Sequence, residues 1–245
     1  MINYEEKSLN AWPALINAYF LGCIVRLSNG YTNRANCANP LYVNSKNFIK
    51  TIAFVEDFYN KNKQPSIFKI IGTKRYKEFD KILIERNYIE ISNTTVMTCK
   101  LKEIKTQNNP SVKVENIITD DWFNSFASLN NLKNEHLDVA RKMLNLIALE
   151  LIVCSIKEKN KIIACGYGAI DNDYVGFFDI VVDEKRRNNG YGKSLILQMI
   201  NEAKKKNVKI GYLQVMDNNL AAKNLYSNIG FKSNYKYWYR KKDET

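Results

Sequence analysis

The chain is poor in the residues from which metal sites and cross-linked folds are built. Its 245 residues include one histidine, His136, and five cysteines that lie far apart in the sequence. Because no Cys-x-x-Cys pair occurs, the sequence indicates neither a zinc site nor a disulfide framework. We therefore expect reduced thiols and no metal ion.

Long apolar runs are also missing. No run approaches the roughly 18 residues that a membrane-spanning helix needs. The opening residues include Glu5 and Glu6 and do not resemble a signal peptide. We therefore expect a cytoplasmic protein without a membrane partner, and the sequence predicts nothing about its oligomeric state.

Acidic residues are outnumbered. The chain has 37 Lys and Arg against 25 Asp and Glu, and its formal net charge is +12. Such an excess favours polyanionic partners, including nucleic acid and phosphorylated cofactors. A lysine-rich surface that keeps the protein soluble explains the excess more simply. Since no recognised nucleic-acid-binding motif is present, nucleic acid is not the partner that we expect.

The spacing of apolar residues predicts alternating strands and helices, and hence an α/β or α+β fold in which helices flank a mixed central sheet. In the first half we expect a hairpin of strands at 23–27 and 31–37, a helix at 45–60, a strand at 66–71, a helix at 76–86 and a strand at 94–101. In the second half we expect helices at 119–127 and 135–149, strands at 150–156, 161–170 and 175–182, a helix at 193–206, a strand at 210–215, a helix at 219–228 and a last pair of strands that ends near residue 240.

Two features divide the chain into halves. The polar segment 103–111 is typical of a domain boundary, which predicts one domain at 1–105 and a second at 111–245. A strand–helix–strand series that starts at residue 66 also recurs at residue 210, which is 144 residues later (210 minus 66). A duplication would produce this repeat, although common α/β elements also resemble one another by chance.

The most informative stretch is the loop that follows the strand at 175–182. It contains Gly190 and Gly192 and leads directly into an amphipathic helix. The first turn of a helix has backbone N–H groups without intrahelical partners, and glycine lets an anion approach them closely. Arg187 and Lys193 add positive charge, so the loop suits a pyrophosphate. Its spacing fits neither a Walker loop nor a Rossmann fingerprint.

The spacing does resemble the R/Q-x-x-G-x-G/A signature of the GNAT acetyltransferase superfamily, with Arg187, Gly190 and Gly192 at its fixed positions. Residues 219–231 also fill every position of the family's second motif, N-x-x-A-x-x-L-Y-x-x-x-G-F. The two motifs occur in the family's order, with a helix and a strand between them. The resemblance implies a GNAT fold, here as two GNAT-like units in tandem, and an N-acetyltransferase activity.

GNAT enzymes transfer the acetyl group of acetyl-CoA directly to an amine, so the resemblance implies acetyl-CoA as co-substrate and a primary amine, on a small molecule or a protein, as acceptor. In the family, the pantetheine lies between two strands that splay apart. The cofactor-binding residues that the resemblance implies here are Ile180, Val181, Val182, Arg187, Asn188, Asn189, Gly190, Tyr191, Gly192, Lys193 and Asn219. Asn219 also suits the cap of the helix that follows it.

Tyr226 matches the family's tyrosine that protonates the departing thiolate, although its helical spacing also fits a packed core aromatic. The base is less defined. Where the histone-acetylating branch of the family has a glutamate, this chain has Gly176. Asp179 and Glu150 are the candidates, and each also has a structural explanation. His136 fits a surface position on a helix.

The first half lacks the features of a cofactor site. Its loop at 38–44 has no glycine, and Pro40 removes a backbone donor. We expect this half to be degenerate for cofactor binding and to shape the acceptor cleft. Segments 10–13 and 30–36 resemble parts of bacterial tandem-GNAT proteins. The alternative function is a non-catalytic CoA-binding or regulatory module.

Overall fold

Strands and helices alternate along the chain, as the apolar spacing predicts. The computed structural model describes residues 1–242. The helices of that part are α1 (Ile2–Ala11), α2 (Phe48–Lys61), α3 (Lys77–Glu85), α4 (Asp120–Leu129), α5 (Asn134–Asn145), α6 (Tyr191–Lys205) and α7 (Leu220–Ile229). The strands are β1 (Ile16–Phe20), β2 (Cys23–Leu27), β3 (Ala38–Asn39), β4 (Ile67–Ile71), β5 (Tyr88–Lys100), β6 (Val112–Glu115), β7 (Glu150–Glu158), β8 (Lys161–Asp171), β9 (Tyr174–Val182), β10 (Ile210–Met216) and β11 (Lys232–Lys242).

All these strands form one mixed sheet with the order β1-β2-β3-β4-β11-β5-β10-β9-β8-β7-β6. In the described sheet, only β3–β4 and β9–β10 are parallel pairs. The order is nearly symmetrical about the antiparallel pair β5–β11. Each half therefore gives its last strand to the other: β5 pairs with β10, and β11 pairs with β4. The predicted mixed sheet flanked by helices is confirmed.

The duplication is visible in the numbering of equivalent elements. The helix α6 begins 143 residues after α2 (191 minus 48), β10 begins 143 residues after β4 (210 minus 67), and α7 begins 143 residues after α3 (220 minus 77). Three elements with the same offset and equivalent places in the sheet form two repeated units. The division at 103–111 stays a prediction, because the sheet continues across it through the exchanged strands.

The predicted hairpin in the first half is wrong in its second strand. The partner of β2 is the preceding strand β1, which is reached through a turn at Leu21 and Gly22 with positive φ. Residues 31–37 form an irregular loop instead. The side chain of Asn36 accepts hydrogen bonds from the backbone N–H groups of Ser28 at 2.7 Å and Gly30 at 3.0 Å. These bonds take the place of a strand ladder.

Other elements also differ from the prediction. The helix α1 and the strands β1, β3 and β6 were not predicted, and the last pair of strands is one irregular strand, β11. α1 gives a weak apolar signal because it buries polar side chains in specific pairs. Glu5 is fully buried, where its carboxylate pairs with Lys69 at 2.5 Å and accepts a hydrogen bond from Tyr235 at 2.6 Å.

The apolar core has three parts. One lies in the first unit and one lies between α6 and the sheet of the second unit. The third contains Trp12 and Ala35 from the first half together with residues of α4, α5 and β8. The two halves are therefore packed against each other through a shared core. Within the described residues, no helix has the length and apolar character needed to cross a membrane.

Candidate active site

The strands β9 and β10 pair at one end and separate at the other. Parallel pairing joins Tyr174–Phe177 to Ile210–Leu213 and then stops, whereas β10 stays paired with β5 as far as Met216. The edge of β9 that faces β10 is therefore without a strand partner after Phe177. A cavity of about 210 Å³ lies at this opening, lined by residues that include Arg34, Asp179, Gln214, Asn219 and Tyr226.

A β-bulge in β9 places Asp179 at this cavity. The pairing with β8 shifts register between Cys165 and Tyr167, and Asp179 takes a positive φ of 52°. Opposite the bulge stands Gly166, where an added Cβ would lie 2.4 Å from Cδ1 of Ile180. The bulge and the glycine therefore fit each other, and bulges of this kind redirect side chains next to functional sites.

Asp179 is half-buried, and the charge of its carboxylate is poorly compensated. Its Oδ2 is inaccessible and has no hydrogen-bond partner in the described structure. Burial raises its pKa to about 7, and the positive charge of Arg34 opposes that rise only in part. Burial raises the pKa of Tyr31, Cys165 and Tyr167, and the carboxylate charge of Asp179 adds to that rise. A carboxylate that titrates near neutrality inside a cavity is suited to proton transfer.

Tyr226 reaches the same cavity from α7. Its ring packs edge-on against Phe231 with 6.1 Å between the centroids, as the helical spacing of Tyr226 predicts for a packed aromatic. Burial raises the pKa of its hydroxyl to about 12, which keeps the phenol protonated at neutral pH. The residue can therefore donate a proton from a fixed position.

Asn219 begins α7. Its side-chain oxygen accepts a hydrogen bond from the backbone N–H of Ala222 at 3.1 Å, so the predicted helix cap is present. Asn219 also lines the cavity between the strands.

The loop before α6 leaves a row of backbone donors free. Gly190 is the N-cap of α6 and takes a left-handed φ of 79°, and Asn188 has a φ of 65°. The backbone N–H groups of residues 188–193 donate to no acceptor in residues 1–242, and the first helical bond runs from Ser194 to Gly190 at 2.9 Å. Unused N–H groups at the positive end of a helix form an anion site.

Charged side chains surround these donors. Arg187 makes only an exposed pair with Glu184 at 3.3 Å, and Arg186 pairs with Glu158. Exposed pairs of this kind contribute little to stability, so both guanidinium groups can turn towards an anion. Lys193 is exposed in the first turn of α6, and the amide of Asn189 donates to the carbonyls of Arg186 and Arg187 at 3.1 Å. Asn189 thereby holds the loop in shape.

Residues 180–182 of β9 lie between Asp179 at the cavity and the loop before α6. The side chains of Ile180 and Val182 pack on the core beneath α6, and Val181 packs on the opposite face. Tyr191 also packs against the core beneath α6. All the cofactor-binding residues that the resemblance implies therefore lie along β9, its loop and the starts of α6 and α7.

The other acid–base candidates lie elsewhere. Glu150 starts β7, is exposed, and pairs with Lys206 at 2.6 Å. Gly176 has no room for a side chain, because an added Cβ would lie 2.6 Å from the hydroxyl oxygen of Tyr212. His136 is on α5 as expected, but it is half-buried against Tyr31 with 5.5 Å between the ring centroids. Of the two predicted candidates for the base, only Asp179 lines the cavity.

The sequence predicted that the first half shapes the acceptor cleft, but it did not reveal which residue of that half lines the cavity. Arg34 lies over the ring of Trp12, with its guanidinium carbon 4.9 Å from the centroid. Trp12 itself stacks on Phe178 of β9 at 6.4 Å. The signal was present in segments 10–13 and 30–36, which resembled known proteins without an assigned role.

The geometry agrees with comparisons to known proteins. A family model described as probable histone acetyltransferase Rv0428c C-terminal matches residues 2–240. The chain belongs to this acetyltransferase family. A relative from Bacillus subtilis (strain 168), named uncharacterized N-acetyltransferase YobR, is 25% identical over 240 residues, which are 96% of each chain.

Solved structures place this N-acetyltransferase in the GNAT fold. A GCN5-related N-acetyltransferase from Kribbella flavida matches with a TM-score of 0.75 at 8% identity, over 100% of this chain and 96% of that one. A tandem GNAT protein from the clavulanic acid biosynthesis pathway matches with a TM-score of 0.69 at 10% identity, over 99% and 89%. The predicted membership of the GNAT superfamily, the predicted fold and the predicted enzyme class are confirmed.

Proposed function

We propose that this enzyme transfers the acetyl group of acetyl-CoA directly to a primary amine in the cavity between β9 and β10. One observation carries the proposal: Asp179, with an unpartnered carboxylate oxygen, and Tyr226 line one cavity at the end of an unpaired strand edge. A base and an acid are thus available at the place where a thioester would lie.

The donor would bind along β9 and its loop. The free N–H groups of residues 188–193 suit the pyrophosphate of CoA, and Arg187 and Lys193 supply positive charge. The unpaired edge of β9 at Ile180, Val181 and Val182 suits the amide groups of the pantetheine, which would pair with it as an added strand does. An N–H group on this edge would stabilise the negative oxygen that forms during the transfer.

The chain's own residues then move two protons. The amine nitrogen bonds to the acetyl carbon, Asp179 takes the proton that the nitrogen loses, and the carbon–sulfur bond breaks. Tyr226 gives its proton to the leaving sulfur. A carboxylate with a pKa of about 7 is deprotonated in much of the protein near neutral pH and is still basic enough to accept a proton.

A thiol-release assay with amine acceptors tests the proposal. The Tyr226→Phe variant should lose about 10²-fold or more in kcat, the usual range for general acid catalysis, because the phenylalanine has no proton to give. Its affinity for acetyl-CoA, measured by calorimetry, should hardly change. Wild-type turnover in the variant would show that Tyr226 only packs in the core. Failure of the intact enzyme to bind acetyl-CoA would refute the proposal.

A further inference from the structure

The first half of the chain places a positive charge in the cavity. Arg34 lies in the short 3₁₀ turn Asn33–Ala35 and lines the cavity together with Asp179 and Tyr226. Its guanidinium carbon is 4.9 Å from the centroid of Trp12 and 6.0 Å from that of Phe178. The charged group therefore lies against two aromatic rings at the cavity wall.

This guanidinium has no polar partner of its own. In residues 1–242, its nitrogens form no hydrogen bond and no ion pair, and the carboxylate of Asp179 attracts it only from a distance. A charge away from bulk water is costly unless it is paired and hydrogen-bonded. Arg34 and Asp179 therefore present opposite charges to one small cavity without contacting each other. Both charges remain able to bind a ligand.

A second arginine fixes the position of the first. Arg26 is 1% exposed, and its guanidinium donates to the backbone carbonyl of Arg34 at 2.8 Å and to that of Trp12. Asn36 donates from its amide to the carbonyl of Thr32 at 2.8 Å, within the same loop. These hydrogen bonds fix the backbone of both Trp12 and Arg34. A site that is formed before the ligand arrives loses less entropy when the ligand binds.

We propose that the acceptor is a small amino carboxylate, of which a free amino acid is the simplest example, and that Arg34 binds its carboxylate while Asp179 faces its amine. This inference rests on the proposed function. A planar guanidinium matches a carboxylate through two parallel hydrogen bonds. The cavity of about 210 Å³ holds only a small group.

The charge of the whole molecule disfavours a basic protein acceptor. The family model's description names a histone acetyltransferase, and a histone tail is a chain of positive charge. This protein has a formal net charge of +12, and Arg34 adds a positive charge at the reaction site itself. Such a field repels a cationic peptide and attracts a carboxylate.

Matched acceptor pairs test the inference. The twenty common amino acids, each paired with its carboxamide, and a lysine-containing histone-tail peptide are assayed with acetyl-CoA by thiol release. At least one amino acid should exceed its carboxamide in kcat/KM by about 10- to 100-fold, the range expected for a hydrogen-bonded charge. In the Arg34→Gln variant this ratio should fall towards one, and in Arg34→Lys it should be intermediate.

The ratio of kcat/KM for an amino acid to kcat/KM for its carboxamide separates acceptor binding from other roles of Arg34. Loss of its charge also raises the pKa of Asp179, but that change affects an amino acid and its carboxamide alike and cancels in the ratio. Arg141→Gln is the matched control, since Arg141 also lies over an aromatic ring, that of Phe123 at 4.1 Å, and it is not among the residues that line the cavity. Its ratio should equal that of the wild type.

The outcomes are distinct. Equal rates for amino acids and carboxamides, an unchanged ratio in Arg34→Gln, or a preference for the histone-tail peptide would overturn the acceptor assignment and leave acetyl transfer intact. No thiol release with any amine, together with no binding of acetyl-CoA by calorimetry, would overturn the proposed function as well.

Discussion

Gly166 on β8 lies so close to Ile180 on β9 that a side chain at position 166 would collide with that of Ile180. A Cβ on Gly166 would lie 2.4 Å from Cδ1 of Ile180 and 3.2 Å from its Cα. The contact lies at the bulge that brings Asp179 to the cavity. The position of the proposed base therefore depends on a glycine in the neighbouring strand.

Gly166→Ala should displace the bulge and lower kcat by about tenfold or more, because small misplacements of a reacting group are costly. Ile180→Val removes the Cδ1 atom that the new methyl group meets most closely. The double variant should therefore recover much of the lost activity, although the contact with the Cα remains. Thiol-release kinetics of both single variants and the double variant check this. A double variant no better than Gly166→Ala alone would contradict the role of this contact.

Asp179→Asn should reduce kcat by about 10²- to 10⁴-fold, since the variant has no base for the amine proton. In the wild type, kcat should rise with pH as Asp179 loses its proton near pH 7. That rise should disappear in the variant. A variant that keeps the inflection near pH 7 would assign the titration to another group.

The same substitution should stabilise the protein at high pH. Asp179 titrates at about 7 in the folded chain, against about 3.9 in an unfolded one. Between these values the folded chain keeps a proton that the unfolded chain has lost, so the free energy of unfolding falls as the pH rises. The stability gained by Asp179→Asn should therefore be small near pH 4 and largest above pH 7.

Thermal melts at pH 5 and pH 8 measure this difference. Asp173→Asn is the control, because Asp173 is an exposed residue next to the start of β9 and pairs with Lys209 at 2.9 Å. It should give no comparable gain at pH 8. If Asp179→Asn stabilised the protein equally at both pH values, Asp179 would not have the raised pKa from which this prediction follows.

The free N–H groups before α6 could be predicted because their signal is local. Gly190 and Gly192, together with a strand before them and an amphipathic helix after them, determine the free N–H groups without help from the rest of the chain. The positions of Tyr226 and Asn219 could be predicted equally well, since both belong to one continuous motif that covers α7 and its N-cap. Local backbone geometry of this kind depends mainly on consecutive residues in the sequence.

Arg34 and the exchange of strands could not be predicted in this way. The role of Arg34 depends on Trp12, Phe178 and Asp179, which come together only through the shared core. The exchange of β5 and β11 changes which strands lie beside each of them. Periodicity reports which face of a strand is buried, and it carries no information about which strand lies beside it.

Gly192→Val should weaken the binding of acetyl-CoA by about tenfold or more, through lost hydrogen bonds to charged oxygens. An added Cβ lies 3.3 Å from Cδ2 of Leu225, and valine adds two further methyl groups within the run of free N–H groups at residues 188–193. Lys205→Val places the same β-branched side chain at the other end of α6 and controls for helix propensity. Calorimetry with circular dichroism measures both. Unchanged affinity in a folded variant would refute the phosphate assignment.

One acetyl-CoA should bind per chain, in the second unit. Several donors of the loop that precedes α2 in the first unit are already used: the N–H groups of Leu41 and Tyr42 donate to backbone carbonyls at 2.9 Å, and that of Asn47 does so at 2.8 Å. By contrast, the N–H groups of residues 188–193 donate to no acceptor in the described residues. Titration calorimetry measures the stoichiometry and must use the whole chain. A fragment from residue 111 onwards would lack β5, which pairs with both β10 and β11, and would expose two strand edges prone to aggregation. A stoichiometry of two would show that the first unit also binds the cofactor, through a site other than this loop.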